Sequence, residues 1–172
     1  MKRARLNFIL AGICLLLFAV LTVLLVTVDV QPVGPLGSRV GLASVNWDFF
    51  EGYGSNPVWY AISEGMGVVA LLTAAGFGCF GVWQWITRKS LKKVDIDLFA
   101  LAACYVVLVL IYLLFELVIV NYRPVLMDGF LEASYPSSHT VLVCTIMMTT
   151  VFQLKGRVRN KALRRALVSI CG

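Results

Sequence analysis

Four long apolar runs, interrupted by short clusters of basic residues, set the strongest limit on what this chain can fold into. They lie at about residues 8–28, 59–86, 98–120 and 138–154. A helix rises about 1.5 Å per residue, so the first three are long enough to cross a hydrocarbon layer roughly 30 Å thick, and the fourth is close to the minimum. With 60% of its 172 residues hydrophobic, the chain carries far more apolar surface than a water-soluble domain buries. The expectation is an all-α fold. It is a single polytopic transmembrane helical bundle over 1–172, with four complete spans and the start of a fifth.

A net charge of +6 would suggest nucleic acid in a soluble chain. Here the basic residues stand beside apolar spans, where they act as an orientation signal, so no nucleic-acid partner is expected. With the amino terminus inside, Lys2, Arg3, Arg5, Arg88, Lys89, Lys92 and Lys93 fall on the inner side. So do Lys155, Arg157, Arg159, Lys161, Arg164 and Arg165. Only Arg39 and Arg123 are left outside, thirteen of fifteen being inside, which predicts a multi-pass cell-membrane protein of that orientation. The first run is longer than a usual signal-peptide core and reaches Asp29 without a small-x-small cleavage site, so it is read as a retained span.

Between the spans, residues 29–57 are rich in Gly, Pro, Ser and Asn and predict an irregular outer loop. Its apolar and aromatic residues, Trp47, Phe49 and Phe50 among them, suit the membrane surface. Ala74 and Gly78 have the spacing of close helix packing. Glu64 and Glu116 are the carboxylates within the spans, both near span ends, and the scarcity of midplane charge argues against a transporter or channel subunit. Five cysteines stand singly and a single histidine completes no ligand set, so neither a metal nor a cofactor is expected. After Arg165 the chain turns apolar over 166–171 and stops, so a fifth span is expected to begin without completing.

Polar chemistry gathers at one boundary. Asn121-Tyr122-Arg123-Pro124 follows the third run, and Tyr135-Pro136-Ser137-Ser138-His139-Thr140 opens the fourth. Ser137 has the position of a helix cap, and the free N–H groups of the turn it opens favour an anion. A guanidinium offers phosphate a planar, permanently charged fork. Taken singly, Arg123 reads as an interfacial anchor, His139 as a satisfied interfacial imidazole and Ser137 as an ordinary cap. Together they describe a phosphate cradle with a histidine at its lip, on the outer face.

This pattern, Arg-Pro at a helix exit and then Pro-Ser-x-His at the next helix start, resembles the first two signature motifs of the type 2 phosphatidic acid phosphatases, which share a helical bundle with vanadium haloperoxidases. The resemblance implies that Arg123, the Ser137 hydroxyl and the backbone near Ser138 bind phosphoryl oxygens. It also implies that His139 is the catalytic general acid protonating the leaving alkoxide, a role suited to an imidazole. Three departures follow from it. Glu116 stands where the motif has lysine, Ser138 replaces its glycine, and the third motif's nucleophilic histidine has no counterpart in a chain with one histidine.

The function implied is hydrolysis of lipid phosphates or pyrophosphates at the outer face. It is impaired in this copy, because positioning does not substitute for a covalent nucleophile. The alternative is a non-catalytic membrane binding or assembly protein of the same fold. The expected partners are the bilayer and a lipid phosphate, with a missing carboxy-terminal fragment or further copies of the chain left open.

Overall fold

In a hydrocarbon layer no water is available to satisfy backbone N–H and C=O groups, so an apolar segment that enters it must close its own hydrogen bonds as a helix. Three helices of the protein are long and apolar enough to cross a membrane: Ala4–Thr27, Pro57–Arg88 and Ile96–Leu117. Only 6%, 11% and 17% of their most apolar stretches are buried within the fold, which leaves the rest to be covered by lipid.

A computed structural model describes residues 2–54, 56–127, 130–158 and 160–171. The elements run α1 (Lys2–Thr27), β1 (Gln31–Val33), β2 (Ser38–Val40), α2 (Ala43–Tyr53), α3 (Pro57–Arg88) and α4 (Ile96–Leu117). They continue with β3 (Asn121–Met127), β4 (Phe130–Tyr135), α5 (Ser138–Arg157) and α6 (Lys161–Cys171). The chain is mostly helical, as expected of the bundle, but two short antiparallel hairpins depart from an all-α fold. Arg159, one of the basic residues assigned to the inner side, lies outside the described residues.

Other boundaries differ from the sequence reading for local reasons. Residues 29–57 hold a hairpin and a helix, with Gly34 and Gly37 supplying positive φ between β1 and β2. The third span ends at Leu117, because the β-branched run Val118-Ile119-Val120 leads to Pro124, which cannot continue a helix. The fourth run is a helix of 20 residues, yet it is not among the three that meet the length and apolarity of a span. Its Ser, His, Thr and Gln residues dilute it. The last apolar segment belongs to α6, an 11-residue helix that starts at Lys161. Asn160 caps it by accepting from the N–H groups of Ala162 (2.9 Å) and Leu163 (3.2 Å).

The chain divides into two compact units. The first comprises Met1–Ser55 and Phe115–Pro136. It is tied by Asn121, which is 3% exposed: its Oδ1 accepts from the Gly41 N–H at 2.7 Å, and its Nδ2 donates to Ser134 Oγ at 3.1 Å. Gly41 is required here by contact, since a Cβ would overlap the Leu25 carbonyl of α1. Asp29 reaches the start of α2, accepting from the Ser44 N–H at 2.7 Å and from Gln31 Nε2 at 2.7 Å. Tyr135 stacks on Phe18 with ring centroids 5.5 Å apart, and its hydroxyl lies 3.0 Å from Thr22 Oγ1.

The second unit comprises Asn56–Leu114 and Ser137–Gly172. Its core is Ala70, Leu108 and Ile146, with Ala74, Tyr105, Val143 and Met147 packed against them. Gly67, Ala70 and Ala74 recur at three- and four-residue spacing on α3, so a strip of small side chains faces α5 and lets it approach closely. Gly78 continues the same face one turn past Ala74, but a Cβ there would meet nothing within 4 Å, so the close approach does not extend to it. Two threonines of α5 spend their hydroxyls on its own carbonyls, Thr149 to Thr145 at 2.8 Å and Thr150 to Ile146 at 2.7 Å, which makes them compatible with packing.

Asp95 is the polar hub of the second unit. Arg157 Nη1 and Gln84 Nε2 each donate to its Oδ2 at 2.8 Å, and Arg88 Nη1 donates to its Oδ1 at 2.8 Å. Gln84, 1% exposed, also accepts from the Asp95 N–H at 3.0 Å. The Arg157 hydrogen bond first, then those of Gln84 and Arg88, hold the Asp95 carboxyl well below the usual carboxylate range.

A carboxyl held low when folded stabilises the fold above the unfolded value, about pH 4, and loses that contribution as pH falls toward the depressed value. The thermal stability gap between wild type and Asp95→Asn in detergent should therefore be widest above about pH 5 and narrow steadily below about pH 4; a gap unchanged down to about pH 3 would contradict the assignment. Gly41→Ala should cost about 1–3 kcal/mol or more by overpacking against Leu25, measured as a lowered unfolding midpoint. Unaltered unfolding of that variant would refute the close approach.

Candidate functional site

Pro136 and Ser137 stop β4 and open α5. Ser137 is the cap: its extended backbone turns the chain, and its Oγ accepts from the Thr140 N–H at 3.4 Å and from the Thr140 hydroxyl at 3.0 Å. With both acceptor sites used, the Ser137 hydroxyl proton has no acceptor among the described residues and remains a donor. Helix geometry leaves the N–H groups of Ser138 and His139 without intrahelical acceptors, while the first helical bond runs from the Val141 N–H to the Ser137 carbonyl at 3.0 Å. Hydroxyl, two N–H groups and the positive helix end therefore converge on one turn, where an anion is favoured.

His139 is exposed on that turn. Its imidazole lies against Gly67 of α3: a Cβ at that glycine would stand 3.3 Å from His139 Cδ2 and 3.9 Å from Nε2. The small-residue strip on α3 thus leaves the space the ring occupies. Sequence reasoning did not single out Gly67. The signal available was its spacing from Ala70 and Ala74, which places it two turns before the Ala74 and Gly78 pair on the same helix face.

Arg123 belongs to the other unit. It is on β3, six residues past the end of α4, so it leaves the helix by a strand and not by a last helical turn. Its Nη1 lies 3.4 Å from Glu132 Oε2 on β4, with both side chains substantially exposed, a surface pair of about 0–1 kcal/mol. Glu132 was also missed. Asp128-Gly129 between two strand-like runs was the sequence signal for the hairpin that brings it opposite Arg123. The structure therefore brings Ser137, Ser138 and His139 together on α5 and places Arg123 with a carboxylate partner on β3.

Glu116, at the position where the resemblance has lysine, is exposed in the last turn of α4 and makes no ion pair among the described residues. Glu64 is exposed on α3. Among the described residues no group of three or more His, Cys, Asp or Glu side chains could hold a metal.

Glu132 competes with any oxyanion for the Arg123 guanidinium. Glu132→Gln should strengthen binding of inorganic vanadate by roughly 1.4–5-fold, the equivalent of about 0.2–1 kcal/mol, in a thermal-shift titration. Unchanged or weaker binding would show that Arg123 does not meet the anion. Compared with models of known protein families, with curated proteins and with solved structures, the chain finds no match.

Proposed function

We propose that this chain is a membrane protein of the type 2 phosphatidic acid phosphatase kind, taking the phosphate or pyrophosphate head of a lipid at the start of α5. The observation that carries the reading is the first turn of that helix, where a capping Ser137 with a free hydroxyl proton, unspent N–H groups and an exposed imidazole occur together.

In this reading the Ser137 hydroxyl and the N–H groups of Ser138 and His139 hold phosphoryl oxygens, and it is the sequence resemblance that assigns Arg123 the permanent positive charge. His139 donates a proton to the leaving alkoxide, which lowers the cost of breaking the phosphorus–oxygen bond. The positive-inside distribution of Lys and Arg supports an outer-face site with the amino terminus inside, and with it a fourth crossing by α5. The 172 residues contain one histidine, so they supply the general acid without a second imidazole to attack phosphorus. The chain on its own binds the phosphoryl group and turns over lipid phosphate poorly.

A non-catalytic binding role for the same site is favoured by one observation, the exposed carboxylate of Glu116 where a phosphate-binding lysine would stand. The two readings part on turnover and agree on binding.

The test uses the purified 172-residue chain in detergent, with vanadate stabilisation and phosphate release from a lipid phosphate measured side by side. Vanadate should raise the unfolding midpoint, and Arg123→Ala should weaken its binding by roughly tenfold or more, as expected for a charge-assisted hydrogen bond. Release should stay near background. No stabilisation by vanadate or phosphate overturns the binding site. Brisk release abolished by His139→Ala overturns the claim of poor turnover.

A further inference from the structure

An open groove of about 1610 Å³ runs between α3, α5 and α6 in the second unit. On α3 it extends from Ile62 to Phe80, on α5 from Val143 to Arg157, and α6 contributes Leu167 and Val168. The α5 wall alone spans about 21 Å. That exceeds the roughly 15 Å depth of one leaflet's hydrocarbon, so the groove has length for a whole acyl chain.

Along the walls the lining is apolar but for Thr73 and Thr150, whose hydroxyls bond helix carbonyls, and its charges lie near one end, where Lys155 and Arg157 stand. This is the opposite end of α5 from His139, about 27 Å away along the helix. Positive charge is in surplus there. Arg157 and Arg88 share one carboxylate, Asp95, and Lys155 makes no ion pair among the described residues. Arg157 is held over the Phe80 ring at 5.1 Å, and its Nη2 is buried with no acceptor among the described residues.

We infer that this groove binds an anionic phospholipid, with an acyl chain along the α3 and α5 walls and the headgroup phosphate at Lys155 and Arg157. The two halves of the ligand answer the two halves of the groove. A free phosphate gains nothing from the apolar wall, and a zwitterionic lipid carries its own cation to the basic end. Arg157 is fixed by Asp95 and Gln153, the latter accepting from its Nε at 2.9 Å, so it contributes positive charge at a set place near the headgroup. Lys155 is exposed and follows the phosphate by its flexible stem.

Native mass spectrometry of the purified chain tests this, with phosphatidylglycerol and phosphatidylcholine of identical acyl chains supplied in equal amounts. Each basic residue near an anionic headgroup favours it by roughly fivefold, so phosphatidylglycerol should be retained over phosphatidylcholine by on the order of twentyfold. Lys155→Ala should cut the preference by roughly fivefold without disturbing Asp95. Gly76→Phe should abolish retention by filling the groove, since a Cβ at Gly76 meets nothing within 4 Å. Glycerol phosphate, which has no acyl chain, should not compete.

Equal retention of the two lipids overturns the inference, as does an undiminished preference in Lys155→Ala or competition by glycerol phosphate. A lipid-independent dimer that Gly76→Phe dissociates would assign the groove to a second copy, which also overturns it. The lipid preference should persist in His139→Ala, which separates this site from the one at the other end of α5.

Discussion

The close approach of α5 to α3 over Gly67, Ala70 and Ala74 is the contact on which the second unit depends. Lipid tails are as apolar as leucine, so membrane helices gain little from hiding apolar surface against one another and rely on close van der Waals fit. Ala70, fully buried against Leu108 and Ile146, marks where that fit is tightest. The same strip leaves space at Gly67 for the His139 ring. Helix packing and the exposure of the imidazole are therefore one feature: a larger residue on that face would loosen the first and displace the second.

Polar groups in so apolar a chain are placed where partners are fixed. Thr149 and Thr150 of α5 return their hydroxyls to the helix backbone, and Tyr105 adds a contact of 3.3 Å to Thr149 from α4. Gln153 of α5 donates to the Asp97 carbonyl at 3.0 Å. In the first unit Asn121 satisfies the Gly41 N–H from the start of β3, and Asn46 donates to the Gly41 carbonyl at 2.9 Å. A buried amide left without such partners costs about 1–3 kcal/mol, which explains why short hairpins with matched side chains occur here instead of open loops.

The two ends of α5 present positive charge in opposite ways. At its start the charge is partial and comes from the helix itself, through unspent N–H groups gathered under the Ser137 cap. At its end the helix dipole favours cations, and Lys155 and Arg157 supply full charges. One helix thus carries a directional set of N–H donors at one end and full side-chain charges at the other.

The sequence determined the elements whose cause is local. Run length and apolarity marked, among four expected spans, the three helices long and apolar enough to cross a membrane; Pro136 and Ser137 marked the start of α5, and the density of Lys and Arg marked its other end. The tertiary structure decided what depends on residues distant in the chain. The β3 and β4 register sets Glu132 against Arg123, the packing of α3 sets Gly67 under His139, and Asp95 gathers arginines from both α3 and α5. Hydropathy and capping are properties of a few consecutive residues and can be read in one dimension. A partner for a guanidinium or a space for a ring is created only when separate segments fold against each other, so no single stretch of sequence contains it.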